Sequence, residues 1–357
     1  MGFKKNFKKL ISATIVGTML LSMVGCEFGP MTTEKLLTKM EENALINDAV
    51  VEQLISDDVI TGEELEVIVN NVKSSKGNVS VDFIGGVEMS MEGMSQSVDV
   101  EASLTGGYKY DSKTKSIMGD MNIEASAMGE EFDESMSFYL INEDGTYYGY
   151  TQENDDVAIR EELGDESDLW EDIEISVDDM LYELDLDSKE ELVDMFKTSS
   201  LKEYQDDLVL SKDKVEFEGR KCYELIYHFD GNTILKELEK NDEVADLFED
   251  EMGMTVDEFL EEELTDGYTA SDLLEDISFD VTYYVDAENF YISYIELDLK
   301  PTIDKLGERI IDIAMAEMGT EYEDAKIELN IEKASISVTY VEDEDISVKF
   351  KGEYEEY

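Results

Sequence analysis

The sequence contains very few of the residues that build most nucleophile and metal sites. Its 357 residues include two cysteines, one histidine and two prolines. Cys222 and His228 lie on one predicted strand, CYELIYH, where a rise of about 3.3 Å per residue separates them by roughly 20 Å. A nucleophile and its base must lie within hydrogen-bonding distance, so this pair predicts no catalytic dyad. A single histidine also leaves the usual zinc ligand sets incomplete.

The motifs of the common enzyme classes are missing as well. The sequence has no G-x-S-x-G, no P-loop, no G-x-G-x-x-G and no D-x-[DN]-x-[DN]-G calcium loop. Two carboxylates could cleave a glycoside, but the 90 acidic residues single out no particular pair. We therefore predict a protein that is not an enzyme and that has no cofactor and no dedicated metal site.

Basic residues are scarce relative to acidic ones. The chain has 28 of the former and 90 of the latter, which gives a net charge of -62. Such a surface repels nucleic acid and anionic lipid headgroups, so we expect neither as an electrostatic partner. It can attract divalent cations weakly, although its simplest role is to keep the protein soluble. An apolar content of 42% and an aromatic content of 10% predict a folded chain.

Only one long apolar run occurs, between Leu10 and Gly25. As a helix it would cover roughly 24 Å at about 1.5 Å per residue, which is shorter than a bilayer core of about 30 Å. Four lysines precede it, at positions 4, 5, 8 and 9. A basic start followed by a short apolar run is typical of a secretory signal, so residues 1–25 are predicted to be a signal peptide.

The run ends in Met23-Val24-Gly25-Cys26, which resembles the lipobox of bacterial surface lipoproteins of the Gram-positive type. The resemblance implies that Cys26 is the lipid attachment site, acylated with palmitate-like chains before cleavage. It also implies a short tether over residues 26–32 and a location on the extracytoplasmic face of the cell membrane. Two acyl chains give stable anchoring. The alternatives are an uncleaved anchor and a signal followed by a free thiol.

Alternating apolar and polar residues predict a series of long antiparallel strands. The clearest is NVSVDFIGGVEMSME, and the pattern recurs from Val98 to Tyr110, from Met121 to Ala127 and on both sides of a turn at Asn142. Later strands are predicted in DLVLSKDKVEFEGRKCYELIYHF, SFDVTYYVDAENFYISYIELDL and the closing KIELNIEKASISVTYVEDEDISVKF, with a change of phase near Lys333.

Helical periodicity is predicted in separate blocks. These blocks are residues 33–72, 163–200 and 231–276, and a further helix follows Pro301. Helix starts are predicted at Thr33, Ser176 and Ser188. Clustered helices and consecutive strands predict an α+β fold, a curved antiparallel β-sheet with helices packed on its concave side. Since no linker composition interrupts the chain, residues 33–357 are predicted to form a single domain with acidic helical insertions near 163–200 and 231–276.

This order of features resembles the LolA/LppX-like lipoprotein-carrier superfamily. The resemblance rests on the lipobox, the helix TTEKLLTKM, the strand VEMSME and the last helix before ASISVTYVEDEDISVKF. It covers about residues 31–160 and 205–355, and the acidic helices and the extreme charge depart from it. It implies an incompletely closed half-barrel that carries a lipid or a lipidated protein between sheet and helices.

Seven of the eighteen methionines lie between positions 89 and 136. Flexible, polarizable thioethers suit contact with acyl chains of varied shape. The predicted ligand-binding residues are Phe83, Met89, Met91, Met121 and Met136. The alternative is that these side chains form an ordinary core beneath the helices. The sequence thus predicts a membrane-anchored lipoprotein that binds a lipid or other hydrophobic ligand, or else a structural or sensory surface protein with a filled core that acts through protein contacts.

Overall fold

The computed structural model describes residues 31–356 except 43–47, 92–93, 155, 172–173, 184–187, 197–200, 202–203, 232–254, 262, 266–267, 270, 273–276 and 319–325. The strands are β1 Val59–Thr61, β2 Ser75–Met91, β3 Met94–Asp111, β4 Ser116–Ala127, β5 Glu130–Glu143, β6 Thr146–Glu153, β7 Ala158–Gly164, β8 Glu174–Ser176, β9 Leu208–Leu210, β10 Val215–Phe217, β11 Arg220–Asp230, β12 Glu263–Thr265, β13 Tyr268–Thr269, β14 Ser278–Asp286, β15 Ile292–Asp298, β16 Lys326–Glu342 and β17 Tyr354–Glu356. The helices are α1 Thr33–Glu42, α2 Asp48–Ser56, α3 Gly62–Val69, α4 Glu166–Glu171, α5 Val177–Glu183, α6 Lys189–Phe196, α7 Val256–Leu260 and α8 Lys300–Met318.

Thirteen of these strands form one curved sheet that is not closed into a barrel. Its order is β10-β11-β14-β15-β16-β2-β3-β4-β5-β6-β7-β17, and β9 also pairs with β11. Strands β2 to β7 follow one another as an antiparallel meander. The late strand β16 returns to pair with β2 along its whole length, from Lys326 opposite Ser90 to Glu342 opposite Ser75. The predicted open, curved antiparallel sheet with helices is therefore observed.

The pairing register gives the sheet two chemically different faces. On one face Val81 lies between Ile336 and Leu104, and the row continues to Ile123. One residue further along β2, Asp82 points to the other face. We call the first face the inner face, because the helices pack on it, and the second the outer face. A sheet of this kind has one dry and one wet side, as the alternation predicted.

Local sequence explains how the strands turn and approach one another. The β5–β6 hairpin turns at Asp144 and Gly145, with φ values of 54° and 97°, a conformation that glycine adopts without strain. The Asn142 side chain stabilises this turn by accepting a hydrogen bond from the Gly145 amide at 2.9 Å. On β4, the ring of Phe138 lies directly over Gly119, where any Cβ would be 2.1 Å from the ring.

The largest buried cluster lies at one end of the sheet, where α2 to α6 cover the inner face of β3 to β7. It includes Val51, Leu65, Ile117, Tyr147 and Leu192. The helices begin where the sequence predicted. The Ser176 hydroxyl accepts the Asp179 amide at 3.1 Å at the start of α5, and the Ser188 hydroxyl accepts the Glu191 amide at 3.2 Å at the start of α6.

A second cluster packs α1 against the inner face of β11, β14, β15 and β16. Its buried members include Leu36, Met40, Leu225 and Tyr340. A third cluster lies on the outer face, where residues 346–350 cross β5 and β6. There the Phe350 ring stacks on Tyr150 with centroids 4.3 Å apart. The sheet is therefore buried on both faces near β5 and β6.

The structure corrects two predictions of secondary structure. Residues 163–200 are not helical throughout, because Leu163 and Gly164 belong to β7 and β8 occupies Glu174–Ser176. Residues 346–350 do not form the predicted closing strand; their alternate apolar side chains pack across the outer face instead of joining a ladder. The predicted phase change in β16 is present as a register shift between Ile331 and Lys333. Most of the predicted insertion at 231–276 lies outside the described residues.

Candidate functional site: an open apolar face

From Val79 to Met89 of β2, and along the parts of β3, β4 and β16 that are level with them, the inner face is lined by apolar side chains and carries no charged residue. We call this surface the apolar face. It consists of Val79, Val81, Phe83, Val87 and Met89 on β2, Val98, Val100, Ala102 and Leu104 on β3, Met121, Ile123 and Ala125 on β4, and Ile327, Leu329, Ile331, Ala334, Ile336 and Val338 on β16.

The described residues leave much of the apolar face open to solvent. Val79, Val81, Met89, Leu104 and Met121 are between 37% and 44% exposed. None of the five belongs to the three buried clusters. Contiguous exposure of aliphatic side chains on one surface marks a site of interaction far more often than scattered exposure does.

Helix α8 forms a wall beside this face. It begins beside β14, where the Thr302 hydroxyl accepts a hydrogen bond from the Ser278 amide at 3.1 Å. It then packs on β16, and Gly307 approaches Leu329 so closely that any larger residue would collide with the leucine. The apolar residues of α8 are not fully covered, since Ile310 is 58% exposed. Apolar side chains of both helix and sheet therefore border the same space.

The apolar face is closed at one end and open at the other. Beyond Val79 the next inner positions pass into the buried clusters, where Tyr340 and Phe138 are covered by helices. Towards the opposite end Met89 is 44% exposed, and Met128, at the turn of the shorter β4–β5 hairpin, is 79% exposed. The distance along β2 from Val79 to Met89 is about 34 Å at roughly 3.4 Å per residue. This exceeds the length needed by one extended acyl chain, since a whole bilayer core measures about 30 Å.

Four of the five predicted ligand-binding residues lie on the inner face. Phe83 lies between Ala334 and Ala102, and Met89 pairs with Ile327. Met121 and Met136 are direct neighbours across β4 and β5. The structure does not gather them into one cluster, because the two neighbouring methionines are level with Val79, at the end of the face away from Met89. The side chain of Met91 lies outside the described residues, as does Cys26.

The predicted ligand-binding residues, chosen mainly among methionines, leave out most of the apolar face. Val79, Val81 and Leu104 are as exposed as Met121 and share its face, yet only Phe83 and methionines were selected as ligand-binding residues. Period-two alternation already placed these aliphatic residues on one side of their strands. Their exposure depends on what covers the sheet, which no local pattern encodes.

The outer face has the opposite character. Around Gly86, which has no side chain to fill the space, it forms a shallow depression of about 450 Å³ bordered by carboxylates that include Glu88, Asp99 and Glu101. Within the described ranges, no three His, Cys, Asp or Glu side chains converge closely enough to hold a metal ion. Weak binding of divalent cations stays a prediction.

Cys222 and His228 have separate surroundings. Cys222 is fully buried, and burial raises the pKa of its thiol to about 11. His228 is exposed, and its Nδ1 lies 2.7 Å from the Asp280 carboxylate on the neighbouring strand. The two side chains therefore do not form one site. In the portion of the chain that the structure describes, no helix combines the length and apolarity needed to span a membrane.

Comparison with known proteins gives no family assignment. No family model matches the sequence, and no curated protein matches it either. The crystal structure of LprF from Mycobacterium bovis aligns over 84% of this chain and 94% of that chain, with 8% identity and a TM-score of 0.24. The crystal structure of a DUF1329 family protein from Desulfovibrio piger aligns over 80% of this chain and 93% of that chain, with 8% identity and a TM-score of 0.12. At these TM-scores the alignments carry no argument about function.

Proposed function

We propose that this protein is a lipoprotein, anchored through Cys26 on the extracytoplasmic face of the cell membrane, whose apolar face binds a lipid or another hydrophobic ligand. It acts by binding rather than by catalysis. The observation that carries the proposal is the exposure of five large aliphatic side chains on an uncharged face of a chain whose net charge is -62. A chain so rich in carboxylates could cover this surface with polar groups, but β2, β3, β4 and residues 326–338 of β16 place all their charged side chains on the other side.

The energy available from this face is sufficient for binding. Complete burial of a large aliphatic side chain contributes about 1.5–3 kcal/mol, so covering the remaining two-fifths of each contributes about 0.6–1.2 kcal/mol. Five such side chains contribute about 3–6 kcal/mol before other contacts are added. The losses of freedom on association reduce this figure, and contacts with α8 and β16 increase it. Micromolar binding corresponds to about 8 kcal/mol, so the remainder must come from burial of the acyl chain itself, at about 0.8 kcal/mol per CH₂ group.

Native mass spectrometry of protein purified in mild detergent tests the binding. We expect copurified lipid, removable by delipidation and restored by added lipid. Met121→Glu places a charge on the apolar face and is expected to abolish rebinding. Asn122→Asp is the matched control, since it adds the same charge at the next residue, on the outer face. A protein that neither retains nor rebinds lipid would instead support a structural or sensory role through protein contacts.

The anchor is supported by the lysines, the apolar run and the lipobox-like residues at the start of the chain. Metabolic labelling with palmitate tests it in a bacterial host. We expect Cys26→Ala to abolish labelling and to leave the precursor uncleaved, whereas Cys222→Ala retains full labelling because its thiol is buried in the folded domain. Undiminished labelling of Cys26→Ala would overturn the anchor.

A further inference from the structure

Strand β3 extends beyond the strand that pairs with it. It runs from Met94 to Asp111, but its pairing with β4 begins only at Val100, opposite Ala127. Residues 94–99 are held by β2 on one side, and in the described part of the chain no strand pairs with their other side. We call this segment the open edge. At about 3.4 Å per residue it is about 20 Å long, which matches a strand of ordinary length.

The backbone of the open edge directs hydrogen-bonding groups outward at every second residue. Ala127 and Glu130 flank the turn of the β4–β5 hairpin and therefore form a hydrogen-bonded pair. Because such pairs alternate along a strand, Ser126 bonds to Glu101 of β3 instead. The residues of the open edge that continue this alternation, and so direct their N–H and C=O groups away from β2, are Ser95, Ser97 and Asp99.

The open edge lacks the features by which proteins usually protect unpaired strands. The strands at the two ends of the sheet, β10 and β17, are only three residues long. The open edge is longer, and it contains no proline, no lysine and no inward-facing charge. Its pairing with β2 is regular, and Ser95, Gln96 and Ser97 are exposed. An unprotected edge of this length is a template for one more strand.

On its inner side the open edge continues the apolar face. Val98 lies opposite Val87, and Met89 of the same neighbouring strand is 44% exposed. Gln96 lies opposite Met89 and carries no charge. A strand added here places alternate side chains beside these residues, so its inner positions suit apolar residues.

On its outer side the open edge is acidic. The lysines of this part of the sheet, Lys326 and Lys333, belong to β16, two strands from the edge, and Lys333 is paired with Asp82. Opposite charges on neighbouring strands stabilise their pairing and like charges destabilise it, so the outer positions of an added strand suit lysine or arginine. A second copy of this chain would bring further carboxylates instead. The exposed carboxylates on this side are Glu88, Asp99, Glu101 and Glu328.

We propose that the open edge binds an extended segment of a partner protein as an additional strand, and that this segment has apolar residues on its inner side and basic residues on its outer side. The edge supplies main-chain hydrogen bonds, and its two sides select the side chains. The inference concerns a protein partner, so it goes beyond the proposed function and does not depend on it.

The probe is a short fluorescein-labelled peptide in which lysine alternates with valine, and fluorescence anisotropy measures its affinity. Two control peptides alternate lysine with serine and glutamate with valine. We expect the lysine-valine peptide to bind at least about fivefold more tightly than the lysine-serine peptide, which has the same charge, and the glutamate-valine peptide not to bind. Equal binding of the two basic peptides would show attraction by net charge alone and would overturn the proposal.

Variants of the edge test the backbone and the charge separately. Ser97→Pro removes an outward N–H and leaves the bonds to β2 in place, so the lysine-valine peptide should bind at least about fivefold more weakly. Ser97→Ala keeps that N–H and should bind within about twofold of the unchanged protein. Asp99→Lys keeps the backbone and should weaken the lysine-valine peptide while strengthening the glutamate-valine peptide. Binding that neither Ser97→Pro nor Asp99→Lys changes overturns the proposal.

Hydrogen exchange with residue resolution locates the bound peptide. The lysine-valine peptide should slow exchange of the Ser95, Ser97 and Asp99 amides at least about tenfold. The amides of Gln96 and Val98, which bond to β2, should change little. Protection confined to other strands overturns the site. Protection of the same amides without peptide, together with a dimer in analytical ultracentrifugation, would assign the edge to a second copy and overturn the basic partner.

Discussion

Replacement of methionines by alanine distinguishes an open apolar face from a filled core. Met40 is 5% exposed in the second buried cluster, whereas Met121 and Met89 on the apolar face are 38% and 44% exposed. Met40→Ala leaves a closed cavity and should cost about 2–4 kcal/mol, within the range of core methionines. Met121→Ala removes a side chain that is only about three-fifths buried and leaves no closed cavity, so its cost should be about 1 kcal/mol. Met89→Ala should cost no more than that.

Urea unfolding of delipidated protein measures these differences. Trp170 is the only tryptophan and is buried in the first cluster, so its fluorescence reports the global transition. The same chemical change at three positions removes differences between side-chain types from the comparison. If Met121→Ala and Met89→Ala each destabilise the protein as much as Met40→Ala does, the face is covered in the folded protein and the reasoning is refuted.

The other predictions concern stability away from this face. Arg220→Gln should lower the free energy of unfolding in urea by about 2–3 kcal/mol, because the buried Asp286 carboxylate loses its cation at 3.3 Å. Lys300→Gln removes the same charge from an exposed pair and should lower it by about 0–0.5 kcal/mol. Equal losses in the two variants would contradict this prediction. Cys222 should resist iodoacetamide at pH 8 until urea unfolds the protein, since its thiol is buried and its pKa is about 11, and rapid labelling of native protein would contradict its burial. Phe350→Ala should lower the free energy of unfolding by about 2 kcal/mol, since its ring stacks on Tyr150. It should also speed hydrogen exchange of the Ala158 amide, which donates to the Glu353 carbonyl at 3.2 Å. Lys351→Ala, at an exposed neighbouring position, should change neither quantity.

Local chemistry predicted much of the fold. Period-two alternation identified β2 to β6, and hydroxyl residues followed by acidic ones identified the starts of α5 and α6. Asn142, with Asp144 and Gly145, identified the β5–β6 turn. Each of these signals acts within a few residues, so a single sequence contains it completely.

Long-range arrangements could not be predicted in the same way. The pairing of β16 with β2 joins residues some 250 positions apart, and the parallel pairing of β17 with β7 joins Tyr354 to Ala158. The strand-like spacing of Ile346, Val348 and Phe350 gave a wrong prediction, because alternate apolar residues fit a ladder and a packed surface segment equally well. For the candidate site, alternation predicts which side chains share a face, but their exposure depends on the packing of helices that lie far away in sequence.

The central claim is that acyl chains lie on the apolar face, and photo-crosslinking tests it most directly. A phosphatidylcholine with a diazirine on one acyl chain is bound to delipidated protein, irradiated and mapped by peptide mass spectrometry. We predict that the label attaches to inner-face residues within 79–89, 98–104, 121–125 and 327–338, and that Met121→Glu eliminates it while Asn122→Asp does not. Labelling confined to residues outside the apolar face, or unchanged by Met121→Glu, would contradict the account.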